Sequence, residues 1–137
     1  MTKLRRFSAF LYPFPRVYVD PEATTDLDFE EWSNDFTWRQ DDWNGLKDFA
    51  QPVRETISSE RGDCEDYALV AASSLIERGY NNVQIGFCFN TWHGLPYPRH
   101  VVAYHANTVY SSGSIYNKTK SEYIDWSEYD YAIWRTV

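Results

Sequence analysis

Between residues 63 and 78 the apolar positions recur at helical spacing. Cys64, Tyr67, Ala68, Ala71 and Leu75 share one face. Asp63 stands at the N-cap position, and Asp66 three residues on completes a capping-box-like pair. Arg78 falls in the last turn and Gly79 just beyond it. The pattern predicts a helix over 63–78 that begins at Cys64, with the thiol turned inward. After it the period changes to two. Val83, Ile85, Phe87 and Phe89 alternate with Gln84, Gly86 and Cys88, as a half-buried strand requires. "NTWHGLPYP" reads as a loop. "RHVVAYH" reads as a second strand, with His100, Val102 and Tyr104 on one face and Val101, Ala103 and His105 on the other. "AN" is a turn, "TVYSSG" returns as a third strand, and "YDYAIWRTV" closes the chain as a last strand.

The first half is less periodic. "YPFPRVYV" reads as extended, because proline restricts its neighbours. "DLDFEEW" suggests a short helix. "DDWNGLKDFAQPVRETISS" reads as loop and then a short helix around Pro52, which a first turn tolerates. Helices first and an antiparallel sheet afterwards give an α+β layout, with the cysteine-bearing helix packed on the sheet. The 137 residues suffice for one core. Residues 1–35 read as an N-terminal extension and 36–137 as the domain.

Composition narrows the function classes. Aromatics make up 18% of the chain, which does not suit disorder. A net charge of −7 disfavours nucleic acid and anionic membrane as partners. No apolar run reaches the roughly 20 residues of a spanning helix. "MTKLRRFSAFLYPFP" carries Pro13 and Pro15 and no small-residue cleavage site, so no signal peptide is expected. Two cysteines without CxxC spacing, and three histidines without metal-motif spacing, predict neither a zinc site nor a disulfide framework.

The chemistry centres on "RGDCEDYA". A helix N-terminus presents unpaired N–H groups and partial positive charge, which favour thiolate over thiol. The same N–H groups can stabilise an oxyanion. His100 opens a strand after a loop, where a base can be both held and reached. Each residue alone has an ordinary explanation: Cys64 as a small buried side chain, His100 as a strand-end histidine. Cys88 reads as sheet filling, His93 as an exposed loop residue, and His105 points away from His100. Trp43 and Gln51 read as packing residues that could border a cleft, with Gln51 a possible oxyanion donor.

"GDCEDYA" followed by an inward-facing helix, then "RHVVAYH" on a strand, resembles the transglutaminase-like branch of the papain-like superfamily. The nearest group is the bacterial transglutaminase-like cysteine peptidases. "FTWRQDDWNGLKDFAQPVRET" is similar to the stretch that leads to the nucleophile there. The resemblance covers roughly residues 36 to 113. It implies a Cys-His-Asp triad and acyl transfer from an amide, with Cys64 as nucleophile and His100 as base and acid. It also implies a peptide or protein substrate and no required cofactor. Calcium is associated with acidic residues beside the nucleophile in periplasmic members, which would give Asp63 and Glu65 that role. Helix capping explains the same acidic flank.

The departure lies in the third residue. Where the resembled family has an aspartate, this strand reads "TVYSSGSIY". A two-residue "AN" turn puts Ser111 on the face of His100; a three-residue turn puts Ser112 there. A hydroxyl can orient a histidine but brings no charge to an imidazolium, and loss of that carboxylate costs orders of magnitude in rate. Asp125 and Asp130 cannot be placed from sequence. The leading expectation is a cysteine peptidase or amidohydrolase weakened by the serine. The rival is a noncatalytic module that contacts neighbouring subunits in an assembly, such as a virion component. A third reading is an intracellular thiol hydrolase of a small amide. A cytoplasmic or virion-associated location follows from these readings.

Overall fold

All twelve residues from Cys64 to Leu75 are buried, the charged Glu65 and Asp66 among them. A helix buried all round belongs at the centre of a fold. The structure is a computed structural model that describes residues 14–39 and 51–137. Two 3₁₀ turns, Pro15–Tyr18 and Pro21–Thr24, precede helix α1 (Phe29–Asp35). Strand β1 (Thr37–Trp38) follows, then α2 (Val53–Ser59), β2 (Arg61–Gly62) and the central helix α3 (Cys64–Glu77). The second half holds β3 (Gln84–Trp92), β4 (Leu95–His105), β5 (Thr108–Ser111), β6 (Ser114–Tyr116), α4 (Lys120–Trp126) and β7 (Tyr131–Thr136).

The last five strands form one antiparallel sheet in the order β6-β5-β4-β3-β7. The alternation read from "VQIGFCF" and "RHVVAYH" sorts its two faces. Ile85, Phe87, Val101 and Ala103 join Cys64, Tyr67, Ala68 and Ala71 in the main core. Cys88, Val102 and Val109 face the other way and pack with Tyr123 of α4 in a second, smaller core. The molecule is therefore α+β, with α3 on one face of the sheet and α4 on the other. Phe29 and Trp32, which lie in the stretch read as an extension, are buried in the main core and pack on the Tyr67 ring at 5.9 and 5.8 Å between centroids. Among the described residues, no helix is long and apolar enough to cross a membrane.

Three local readings need correction. "NTWHGLPYP" is not a loop: β3 runs on to Trp92, β4 starts at Leu95, and only His93 and Gly94 turn, both at positive φ. Prolines are tolerated there because β5 pairs with β4 only over Ala103–His105. That leaves Pro96 and Pro98 on a stretch bonded to β3 on one side alone. "YPFPRVYV" is not extended from Pro15 on but forms a 3₁₀ turn, which the fixed proline φ also permits; Tyr12 and Pro13 lie outside the described residues. Helix α4 was not read from the sequence at all.

Burial of ionisable groups ties the fold to pH. Burial pushes the Cys88 thiol from its ordinary 9.0 up to about 12. It also pushes Tyr67 from 10.0 to about 12 and raises Tyr123. Each group holds its proton more tightly folded than unfolded. Their contribution is thus complete below the unfolded values and is lost as pH rises through them toward the folded values. We expect urea midpoints that are flat up to about pH 9 and fall between there and pH 12. The fall should shrink in Cys88→Ala over the lower part of that window. Midpoints that stay flat throughout would contradict the assignment of these groups to a dry interior.

Candidate active site

The start of α3 is held by two reciprocal bonds. The Asp63 carboxylate accepts from the Asp66 N–H at 3.1 Å, and the Asp66 carboxylate accepts from the Asp63 N–H at 3.0 Å. The expected capping box is present. Asp66 does more than cap. It is 1% exposed, and its other oxygen accepts from the Gln51 N–H at 2.7 Å. It also leaves no room at Gly62, where a Cβ would lie 2.6 Å from Asp66 Oδ2. Glycine, N-cap and buried acid in "GDCED" are one packing unit. It sets Cys64 as the first residue of α3, 5% exposed and facing the main core.

His100 sits on β4 directly opposite Cys88 of β3 and is 5% exposed. The β3–β4 register slips here: Cys88 pairs with His100 but Phe89 pairs with Pro98, so Arg99 is an extra residue just before the histidine. Such a bulge bends the strand and re-aims the neighbouring side chain. The imidazole stacks on Tyr129 at 5.7 Å between centroids. Its Nε2 lies 2.6 Å from Ser111 Oγ. Tyr123 of α4 packs on the same face with Cys88, Val102 and Val109.

The turn between β4 and β5 decides between the two serines. It has two residues, Ala106 and Asn107, both at positive φ, and pairs His105 with Thr108. Ser111 therefore shares the face of His100. Ser112, the partner expected for a three-residue turn, instead enters the β5–β6 turn at φ 43°. Its buried hydroxyl makes no hydrogen bond among the described residues. The same turn lies against α1. A Cβ at Gly113 would lie 3.7 Å from Ser33 O and 3.8 Å from Phe36 Cδ1, and Ser33 Oγ pairs with the Tyr67 hydroxyl at 2.6 Å. Tyr67 lies one turn beyond Cys64. By strand alternation His100 and Ser111 lie on the face of Val102, which packs in the second core with α4, whereas Cys64 packs in the main core on the α3 face.

The other candidates separate from this group. The Gln51 backbone N–H is committed to Asp66, and Trp43 lies outside the described residues. His93 is exposed in the β3–β4 turn, edge-on to Trp92 at 4.2 Å. His105 packs against Tyr80 at 4.8 Å. Asp130 accepts from the Thr91 N–H at 2.7 Å and from its hydroxyl at 3.1 Å, and Asp125 is exposed on α4. Tyr123 and Tyr129 are the site residues that the sequence reading missed. Thr119 and Glu122 form a capping box at the start of α4, a [ST]-x-x-[DE] signal that would have located the helix and brought Tyr123 into view. No protein-family model matches the chain, and no curated protein or solved structure does.

Asp63 and Glu65, the calcium candidates, are placed differently from each other. The Asp63 carboxylate is engaged in the cap, and Glu65 is 4% exposed. Among the described residues, no three His, Cys, Asp or Glu side chains gather as a metal site would need. Carboxylates engaged in capping lack the six to eight preorganised oxygens that calcium prefers. We expect thermal melts in calcium and in magnesium at matched ionic strength to coincide. A calcium-specific rise in Tm that vanishes in Glu65→Gln would overturn this.

Proposed function

We propose that the protein is a thiol acyl-transfer enzyme of the transglutaminase-like, papain-like type, acting on a peptide or carboxamide. The observation that carries the reading is the 2.6 Å contact between His100 Nε2 and Ser111 Oγ. It orients the ring that this reading assigns as the base for Cys64. In this reading Nδ1 is the nitrogen that exchanges a proton with the thiol.

In this reading Cys64 gives its proton to His100 and attacks the amide carbonyl. A thioester forms, and the amine leaves with the proton that His100 returns. Backbone N–H groups at the start of α3 support the oxyanion. Water or a second amine then attacks the thioester with His100 again as base, giving hydrolysis or transamidation. Ser111 stands where a carboxylate would stabilise the imidazolium better, so the expected rate is low. The depth of Cys64 and His100, each 5% exposed, supports a second reading: a noncatalytic assembly module, for example in a virion, that keeps the arrangement for packing.

Iodoacetamide labelling with peptide mapping separates the two. Acyl transfer requires Cys64 to react first, and Cys88, with its thiol pushed up to about 12, to stay unmodified in the folded protein. Ser111→Asp should then raise turnover of a model amide by about tenfold or more, and Ser112→Asp should leave it unchanged. Labelling of neither cysteine before unfolding would favour the assembly module.

A further inference from the structure

Helix α4 ends at Trp126, and the segment after it is anchored on both sides of Tyr129. On one side, Ser127 donates its N–H to Tyr123 O at 2.9 Å and its hydroxyl to Ile124 O at 3.0 Å. Its Oγ accepts from the Tyr129 N–H at 3.3 Å. On the other side, Asp130 is tied to β3. Its N–H meets Phe89 O and Asn90 Oδ1, both at 2.9 Å. Its carboxylate accepts from the Thr91 N–H at 2.7 Å and from the Thr91 hydroxyl at 3.1 Å. Between these anchors the Tyr129 ring stacks on His100, at 5.7 Å between centroids and 19° between planes. Ser111 meets the imidazole at its Nε2 edge, and Tyr129 meets its face. The edge contact limits where the ring points, and the face contact limits its tilt.

The face contact also has a charge preference. The face of an aromatic ring is negative, and a cation within about 6 Å of the ring centroid is drawn to it, more strongly where water is excluded. A neutral imidazole lacks that attraction. His100 is 5% exposed, so little water reaches an imidazolium there and burial opposes the charge. We propose that Tyr129 is a positioning residue for His100: its clamped ring holds the imidazole plane and stabilises the charged form, on a strand arrangement that offers Ser111 where a carboxylate would stand. The proposal rests on the acyl-transfer reading, in which His100 is charged for part of the cycle, and deepens it.

The other groups around His100 do not supply this stabilisation from the sheet. Cys88 opposite it on β3 is kept a neutral thiol by burial. Ser111 on β5 is an uncharged hydroxyl. Arg99, the extra residue beside it on β4, opposes a second positive charge. Tyr123 of α4, whose ring packs beside Tyr129, is kept a phenol by burial. Glu128 and Asp130 flank Tyr129; Glu128 is exposed, and the Asp130 carboxylate is engaged by Thr91. All of these groups stay in place when the ring at 129 is replaced, so a change in the histidine reports that ring.

The test is an NMR titration of the His100 imidazole in Cys64→Ala, a background in which the result is independent of whether Cys64 reacts. Tyr129→Phe keeps the ring face and removes the hydroxyl, and the His100 midpoint should stay close to that of the parent. Tyr129→Leu removes the face and should make protonation about fivefold harder, so the midpoint falls. Loss of a mere filler would act the other way, because water let in beside the imidazole favours its charged form. Pentafluorophenylalanine incorporated at position 129 keeps the shape of the ring and reverses the charge of its face. It should lower the midpoint as well, and it keeps the test decisive if Tyr129→Leu does not fold. An unchanged or raised midpoint with the fluorinated ring would overturn the proposal. So would a fall of the same size in Tyr129→Phe. Failure of Cys64 to alkylate would instead count against the acyl-transfer reading and leave the titration result intact.

Discussion

The carboxylate of Asp66 is the constraint on which the site depends. It is buried, it accepts from two backbone N–H groups fifteen and three residues upstream, and it occupies the space that a side chain at 62 would need. Each buried donor left without its acceptor would cost about 1–3 kcal/mol. The chain entering α3 is thereby bound to the helix it enters, and the helix can start at one residue only. That residue is Cys64. A thiol at this position faces the core and meets the positive end of the helix together. Any chemistry it performs depends on an acid that never touches the reacting atoms.

The second constraint is the sheet. Its antiparallel register puts Ser111 on the face of His100, and the extra residue at Arg99 bends β4 next to the histidine. At the β5–β6 turn Gly113 lies against Ser33 and Phe36, and Ser111 at the turn's start reaches His100. The positive φ values of Ser112 and Gly113 allow the turn to close in two residues.

Much of this was legible in the chain because it is local. Helical spacing, the Asp63–Asp66 pair and Gly79 bracket α3 almost to the residue, and alternation alone sorted His100 from His105. The choice between Ser111 and Ser112 needed one further fact, the length of the Ala106–Asn107 turn, which composition leaves open. The hairpin at His93–Gly94 was hidden because prolines 96 and 98 signal loop unless a strand has a free side. The full role of Asp66 was hidden because its third bond comes from Gln51, a tertiary contact that no local pattern records. Tyr123 was hidden for the same reason: only the fold brings it against Cys88, Val102 and Val109 on the face of His100.

The central claim is that Cys64 and His100 form one protonic unit. The direct measurement is the ultraviolet absorbance of the thiolate as a function of pH, in Cys88→Ala so that one thiol reports, with and without His100→Ala. Coupling requires thiolate to appear at lower pH when His100 is present, in a step that the histidine substitution abolishes. A thiolate titration that is the same in both proteins, with the fold intact in each, would contradict the account.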